Sequence, residues 1–228
     1  MTDLDALLDR LRDDMTDEEV TALLLEQTLD VARREDPALA AALEVCALPA
    51  WFDADYLAAF REILPPTERA TDELLAWVLA RPFVRRHPAG GHALHEAVRA
   101  ALLTRLRADP ARYAALTDRL ADHFIALAEE QVPRLKGPHY LAALAALDAA
   151  YPNLRAAWEG AAETENWPRV RDLAYALADY FLLRGRWTDW IAWTRAGLDA
   201  CARLGDEAGA AALQNNLGAA YQSLPSGD

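Results

Sequence analysis

The chain has 228 residues and a formal charge of −13, from 23 basic and 36 acidic side chains, and 53% of it is hydrophobic. Its only lysine is Lys136, set in Leu135-Lys136-Gly137-Pro138. That context excludes the phosphate-binding loop G-x-x-x-x-G-K-[ST], which needs a lysine after a glycine run and before Ser or Thr. The acidic balance argues against a nucleic-acid binder, which needs clustered cations to neutralise phosphates.

About a fifth of the residues are alanine, with many leucines, so helix is favoured throughout. Residues 1–35 carry eleven acids and four arginines. Within them Thr16-Asp17-Glu18-Glu19 reads as a capping box, and Val20, Leu23, Leu24 and Val31 follow at helical spacing. This is the pattern of a solvated amphipathic helix, with an acidic docking surface as the alternative.

Asp36-Pro37 opens the next helix, with aspartate at the N-cap and proline at the first helical position. That helix is expected to run from Ala38 to about Leu48 and stop at Pro49. Asp53 caps another through Ile63, ended by Pro65-Pro66. A third starts at Thr67 or Thr71, with Leu74, Leu75, Val78 and Leu79 facing a core. The pattern then changes. Residues 82–86, a turn at His87-Pro88-Ala89-Gly90-Gly91, and His92-Ala93-Leu94 predict a short hairpin, followed by a helix from His95 to about Leu106. Three helices, a hairpin and a flanking helix make a winged-helix module over residues 36–107.

Asp109-Pro110 repeats the helix-start signal. Tyr113, Leu116, Leu120, Phe124 and Leu127 form one apolar stripe. After a break at Pro133 to Pro138, a second stripe runs through Leu141, Leu144, Leu147, Leu154 and Trp158, past Tyr151-Pro152. Residues 108–165 are therefore a helical linker. In residues 166–228, Leu177-Ala178-x-x-Phe181-x-x-x-Gly185-x-Trp187 looks like the first half of a tetratricopeptide (TPR) repeat, and Leu217-Gly218-x-x-Tyr221 looks like the same positions again. The small residue at 178 or 218 is expected to let paired helices approach, and the aromatic to fill the groove between them. Leu224 to Asp228 is no solenoid cap, so the sequence reads as a piece of a longer protein. The fold class is mainly α: a winged helix with one small β-hairpin, then helical hairpins leading into a TPR-like solenoid.

Candidate chemistry is sparse. Cys46 and Cys201 read as buried free thiols of a reducing cytosol, which suggests a cytoplasmic protein. No apolar run is long enough to span a membrane. His95-Glu96 lacks the second histidine of H-E-x-x-H, since residue 99 is arginine, and His92-x-x-His95 has no further ligand nearby to complete a metal site. Asp118, Asp122 and His123 resemble a base and its orienter, but no nucleophile is placed by spacing. Arg85 and Arg86 are the one basic pair on the wing, too little for DNA recognition. Trp187, Trp190 and Trp193, spaced by three, are either an aromatic recognition surface or core between repeat helices. Trp187, Trp190 and Tyr221 are the candidate interaction surface.

Residues 41–48 with Phe52-Asp53 resemble the winged-helix start of STAND-type signal-transduction ATPases, the NB-ARC or AP-ATPase group. Leu75-x-x-Val78-x-x-x-Pro82-Phe83-Val84 and Leu94-His95-Glu96-x-Val98-Arg99 are similar to that module's wing and its "MHD" segment, with leucine for methionine and glutamate for aspartate. Asp109-Pro110-x-Arg112-Tyr113 and residues 151–157 resemble the helical region that follows in bacterial members. Residues 180–187, 202–209 and 213–218 resemble their entry into the repeat array.

The resemblance implies a regulatory fragment, not an enzyme. The nucleotide-binding domain, with its ADP or ATP, would lie upstream and act as a partner in cis. His95 would be the histidine that senses the bound ADP phosphate, idle without that domain, so this chain alone holds no cofactor. A protein or small inducer would bind the TPR-like face. The alternative is a free-standing TPR-like protein–protein interaction adaptor.

Overall fold

Thr16 starts the first helix by satisfying two of the amides that a helix end leaves open. Its hydroxyl accepts from the Glu19 N–H at 3.3 Å, and the Glu19 carboxylate accepts from the Thr16 N–H at 2.8 Å. The Thr16 N–H, and then the Thr16 hydroxyl, donate to that carboxylate and hold the exposed Glu19 carboxyl below its ordinary pKa. Helix α1 then runs Asp17–Glu35. The computed structural model describes residues 16–223; the acidic stretch before Thr16 and the tail from Leu224 lie outside the described residues.

The described residues form eleven α-helices and one two-stranded antiparallel sheet. They divide into two units. One comprises the described residues up to Ala47 with Trp51–Asp109. The other comprises Leu48–Ala50 and the described residues from Pro110 onward.

In the first unit, Asp36 accepts from the Ala38 N–H at 2.9 Å and Pro37 opens α2, Pro37–Val45. Every residue from Ala38 to Val45 is buried, Glu44 included. The helix ends before the expected Leu48, because Pro49 lacks an N–H and biases Leu48 away from helical angles. Asp53 caps α3, Ala54–Ala59, by accepting from the Tyr56 N–H at 2.8 Å. The helix expected to reach Ile63 breaks at Phe60 and tightens into a 3-10 turn, Arg61–Ile63. Helix α4, Thr71–Leu79, starts from Ala70, whose N–H donates to Glu73 at 3.0 Å. Alanine has no side-chain acceptor, so only half of a capping box forms. Thr67 is used elsewhere: its hydroxyl donates to the Asp36 carboxylate.

Strand β1, Val84–Arg86, pairs antiparallel with β2, His92–Leu94, in the register Val84 to Leu94, Arg85 to Ala93 and Arg86 to His92. Phe52 adds a bridge on the far side of β2, exchanging two 2.8 Å backbone hydrogen bonds with His92. This approach needs glycine at 91: a Cβ there would stand 2.6 Å from the Phe52 carbonyl oxygen and from a Trp51 ring carbon. Helix α5, Glu96–Arg107, closes the unit.

Three of these helices meet at one carboxylate. Glu44 of α2 is 4% exposed. Arg33 of α1 approaches it to 3.4 Å and Arg105 of α5 to 3.9 Å. Arg105 also pairs with Glu26 of α1.

The second unit is built from longer helices. These are α6, Pro110–Gln131; a 3-10 turn, Val132–Lys136; α7, Tyr140–Glu163; α8, Trp167–Ala176; α9, Ala178–Arg184; α10, Trp187–Leu204; and α11, Glu207–Gln222. Helix α6 packs along α7, and α10 packs against both α8 and α11. Tyr113, Leu116, Leu120 and Phe124 are buried as expected, with Leu127 half-buried. Leu144, Leu147 and Leu154 are buried, but Leu141 is 77% exposed. The reason is angular: six residues at about 100° each leave Leu141 about 120° away from Leu147 around the helix.

The expected close approach also falls elsewhere. Leu177 is a junction between α8 and α9. Gly218 faces no atom within 4 Å of a Cβ position, and Tyr221 is 43% exposed. The tight crossing is at Gly197 of α10. A Cβ there would lie 2.8 Å from Leu213 Cδ1 of α11 and 2.9 Å from Ala174 Cβ of α8. Leu213 can turn aside, but Ala174 cannot. Gly197→Ala should therefore cost about 1–3 kcal/mol by overpacking, read by urea unfolding. Adding Ala174→Gly should recover part of that loss; no recovery would place the strain elsewhere.

Candidate functional site

His95 follows β2 directly and stands at the N-cap of α5. Its backbone is fully used: the N–H donates to the Phe83 carbonyl at 2.8 Å, and the carbonyl accepts from the Arg99 N–H at 2.9 Å. The imidazole makes no capping bond and is exposed. A packed or side-chain-capping histidine is thus not what this position holds.

Beside the ring lies an apolar groove of about 250 Å³. Leu24 and Leu25 of α1, Pro82 and Phe83 ahead of β1, and Val98 of α5 line it with His95. A second hollow of about 270 Å³ continues between α1 and α5 over Ala22, Ala97, Ala100 and Ala101. Leu24 was legible as an apolar helix position, but its 45% exposure was not.

The other histidines of the hairpin serve local geometry. His87 stacks on Trp51 with centroids 6.3 Å apart, and its Nδ1 accepts from the Ala89 N–H at 3.2 Å. His92 is half-buried and lies tilted against Phe52. Among the described residues there is no group of three or more His, Cys, Asp or Glu side chains able to hold a metal ion. Asp118 and Asp122 form an ion-pair clamp. Asp118 accepts from Asn166 at 2.9 Å and from Arg169 at 3.2 Å, and Asp122 pairs with the same arginine. His123 instead lies edge-on to Phe124.

The three residues expected to share an interaction surface are not alike. Trp190 is 2% exposed and belongs to the core, because α10 is covered by helices on two sides. Trp187 is half-buried. Tyr221 is exposed, and its hydroxyl accepts from Arg195 at 2.5 Å.

Trp193 instead centres an aromatic cluster. It stacks on Trp158 at 4.9 Å and 7°, and meets Phe181 at 5.3 Å and Tyr151 at 6.4 Å. Tyr151, which sequence spacing did not single out, donates to Asp189 at 2.8 Å beneath the Arg186 guanidinium, 4.0 Å from its ring centroid. Tyr180 repeats the arrangement, donating to Asp148, which also pairs with Arg184. The flanking arginines of Arg184-Gly185-Arg186 are the one sequence signal for these pairs. With the Gly185 turn between them, they hold α7, α9 and α10 together.

No family model, no curated protein and no solved structure matches the chain. Among the described residues, no helix is long and apolar enough to cross a membrane.

Burial is the main cause that raises the phenols of Tyr56, Tyr151 and Tyr180 and the thiols of Cys46 and Cys201 above their ordinary values. For Tyr151 the Asp189 carboxylate adds to it. Raised folded values mean that the native state keeps protons that the unfolded chain releases, so stability falls as pH rises. Stability should hold below the unfolded thiol and phenol range and decline through about pH 9–11. Tyr151→Phe should flatten that decline in pH-stepped urea unfolding; an unchanged slope would contradict the assignment.

Proposed function

We propose that this chain is the non-catalytic regulatory part of a STAND-type NTPase, with its first unit acting as the winged helix. In that role the first unit closes on a nucleotide-binding domain, and the helical pairs that follow recognise a protein or small inducer. One observation supports the reading above the rest. The imidazole of His95, at the position of the "MHD" histidine, is exposed at the start of the helix that follows the hairpin. It is free to meet a phosphate supplied from outside the unit. The helical pairs of the second unit, turned by left-handed glycines at 185 and 205, are compatible with a repeat sensor. The reaction chemistry and the bound ADP or ATP would belong to the other domain.

The test has two parts. Calorimetric titration of the chain alone should show neither ADP nor ATP binding, and no phosphate release; turnover by the chain alone would overturn the reading. The reading frame upstream should encode a G-x-x-x-x-G-K-[ST] segment roughly 200–250 residues away, the size of one α/β domain. In that longer protein His95→Ala should weaken ADP about tenfold or more, as expected for loss of one hydrogen bond to a charged group. Unchanged ADP affinity would remove His95 from the nucleotide site.

A further inference from the structure

The chain visits the second unit before that unit's helices begin. Ala47 and Trp51 belong to the first unit, but the residues between them, Leu48–Ala50, belong to the second. Leu48 and Pro49 are buried. Asn153 of α7 is 1% exposed, and its Oδ1 accepts from the Ala50 N–H at 2.8 Å. Pro49 has no N–H to offer, so the amide beside it is the one that Asn153 holds. The same stretch of α7 anchors the helices that follow. Tyr151 donates to Asp189 of α10 at 2.8 Å, and Asp148 accepts from Tyr180 and Arg184 of α9. Two residues turn an α-helix by about 200°, so Tyr151 and Asn153 act on opposite sides of α7. Past Ala50 the chain is held as closely. Phe52 is fully buried and exchanges two 2.8 Å hydrogen bonds with His92, and Asp53 caps α3. From Ala50 to Phe52 the chain spans at most about 7 Å. Strand β2 leads from His92 to Leu94, and His95 follows.

We propose that Asn153 is a positioning residue, through which the second unit sets where Phe52 lies against β2 and so where His95 stands. Each link is covalent or hydrogen-bonded: Asp189 to Tyr151, Asn153 to Ala50, and Phe52 to His92. Residues 50–53 have little freedom to absorb a shift, because Ala50, Phe52 and Asp53 are each fixed. Gly91 leaves no slack at the far end, since a Cβ there would stand 2.6 Å from the Phe52 carbonyl oxygen. Packed elements joined in this way move together. A displacement of α7 within the second unit is therefore delivered to β2. The inference does not rest on the nucleotide reading, because it concerns the position of β2 whether or not a phosphate meets His95.

Amide exchange and histidine NMR of the full chain test it. Asn153→Ser keeps a hydroxyl that the helix's own carbonyls can satisfy, but sets it too far back to reach Ala50. In that variant the Ala50, Phe52 and His92 amides should exchange about tenfold faster, the effect of losing one buried hydrogen bond. The ring C–H resonances of His92 and His95 should move. The amides of Leu29 in α1 and Val78 in α4, both away from the turn, should keep their rates. Tyr151→Phe removes the bond to Asp189 and leaves Asn153 in place. It should move the same His92 and His95 resonances by a smaller amount, and this arm stands even if Asn153→Ser does not fold. Faster exchange confined to Ala50 overturns the proposal, since Asn153 would then serve only its own turn. So does equal acceleration at Leu29 and Val78, the mark of a general loss of stability, or a Tyr151→Phe spectrum in which His92 and His95 do not move.

Discussion

A carboxylate removed from water must be paired or it destabilises the fold by several kcal/mol. Glu44 imposes that constraint on the first unit. It lies on a helix whose other residues past Pro37 are small or aliphatic, so α2 alone offers it nothing. Arg33 and Arg105 must be brought to it from α1 and α5. That requirement holds α1 against the rest of the unit, and α1 supplies one wall of the groove beside His95. The buried charge, together with the burial of Leu25, Leu29 and Ala32, therefore helps to hold one wall of the candidate site in place.

The second unit solves a different problem. Its helices are rich in alanine, which gives good helix propensity but little apolar area per residue. Close approach compensates, and at Gly197 it reaches the point where no Cβ fits. Aromatic side chains supply the remaining bulk around Trp193, with tyrosine hydroxyls led out to Asp148 and Asp189 so that no phenol is left without an acceptor. The same burial that makes this cluster cohesive makes it sensitive to alkali.

Local signals were legible in the sequence and non-local ones were not. The capping box at Thr16, the Asp36-Pro37 start and the 82–94 hairpin each depend on residues within a few positions of one another, and each forms. The mainly helical class with a single small hairpin follows from them. Leu141 was misplaced because a three-residue spacing drifts around a helix. The Phe52 bridge to His92 joins residues 40 apart and leaves no periodic trace. The tight crossing was sought at 178 and 218 on pattern, whereas only the approach of two other helices selects Gly197. Trp190 has the same local surroundings as a surface tryptophan until α8 and α11 cover α10. For the candidate site, His95 could be found from motif position, but its exposure and the groove beside it depend on where α1 packs.

Two features of the first unit bear on recognition: an exposed imidazole on a fully bonded backbone, and the apolar groove beside it. The groove rests on α1 being held in place, and Glu44 is one of its anchors. Amide hydrogen exchange measures this most directly, comparing the full chain with its Glu44→Gln variant. In the wild type, Leu25, Leu29 and Ala32 of α1 should exchange through the same slow opening as the amides of α2. In the variant they should speed up by about tenfold or more, while Leu147 and Ala157 of the second unit keep their rates. Unprotected α1 amides in the wild type, or α1 rates unchanged by the substitution, would contradict the account.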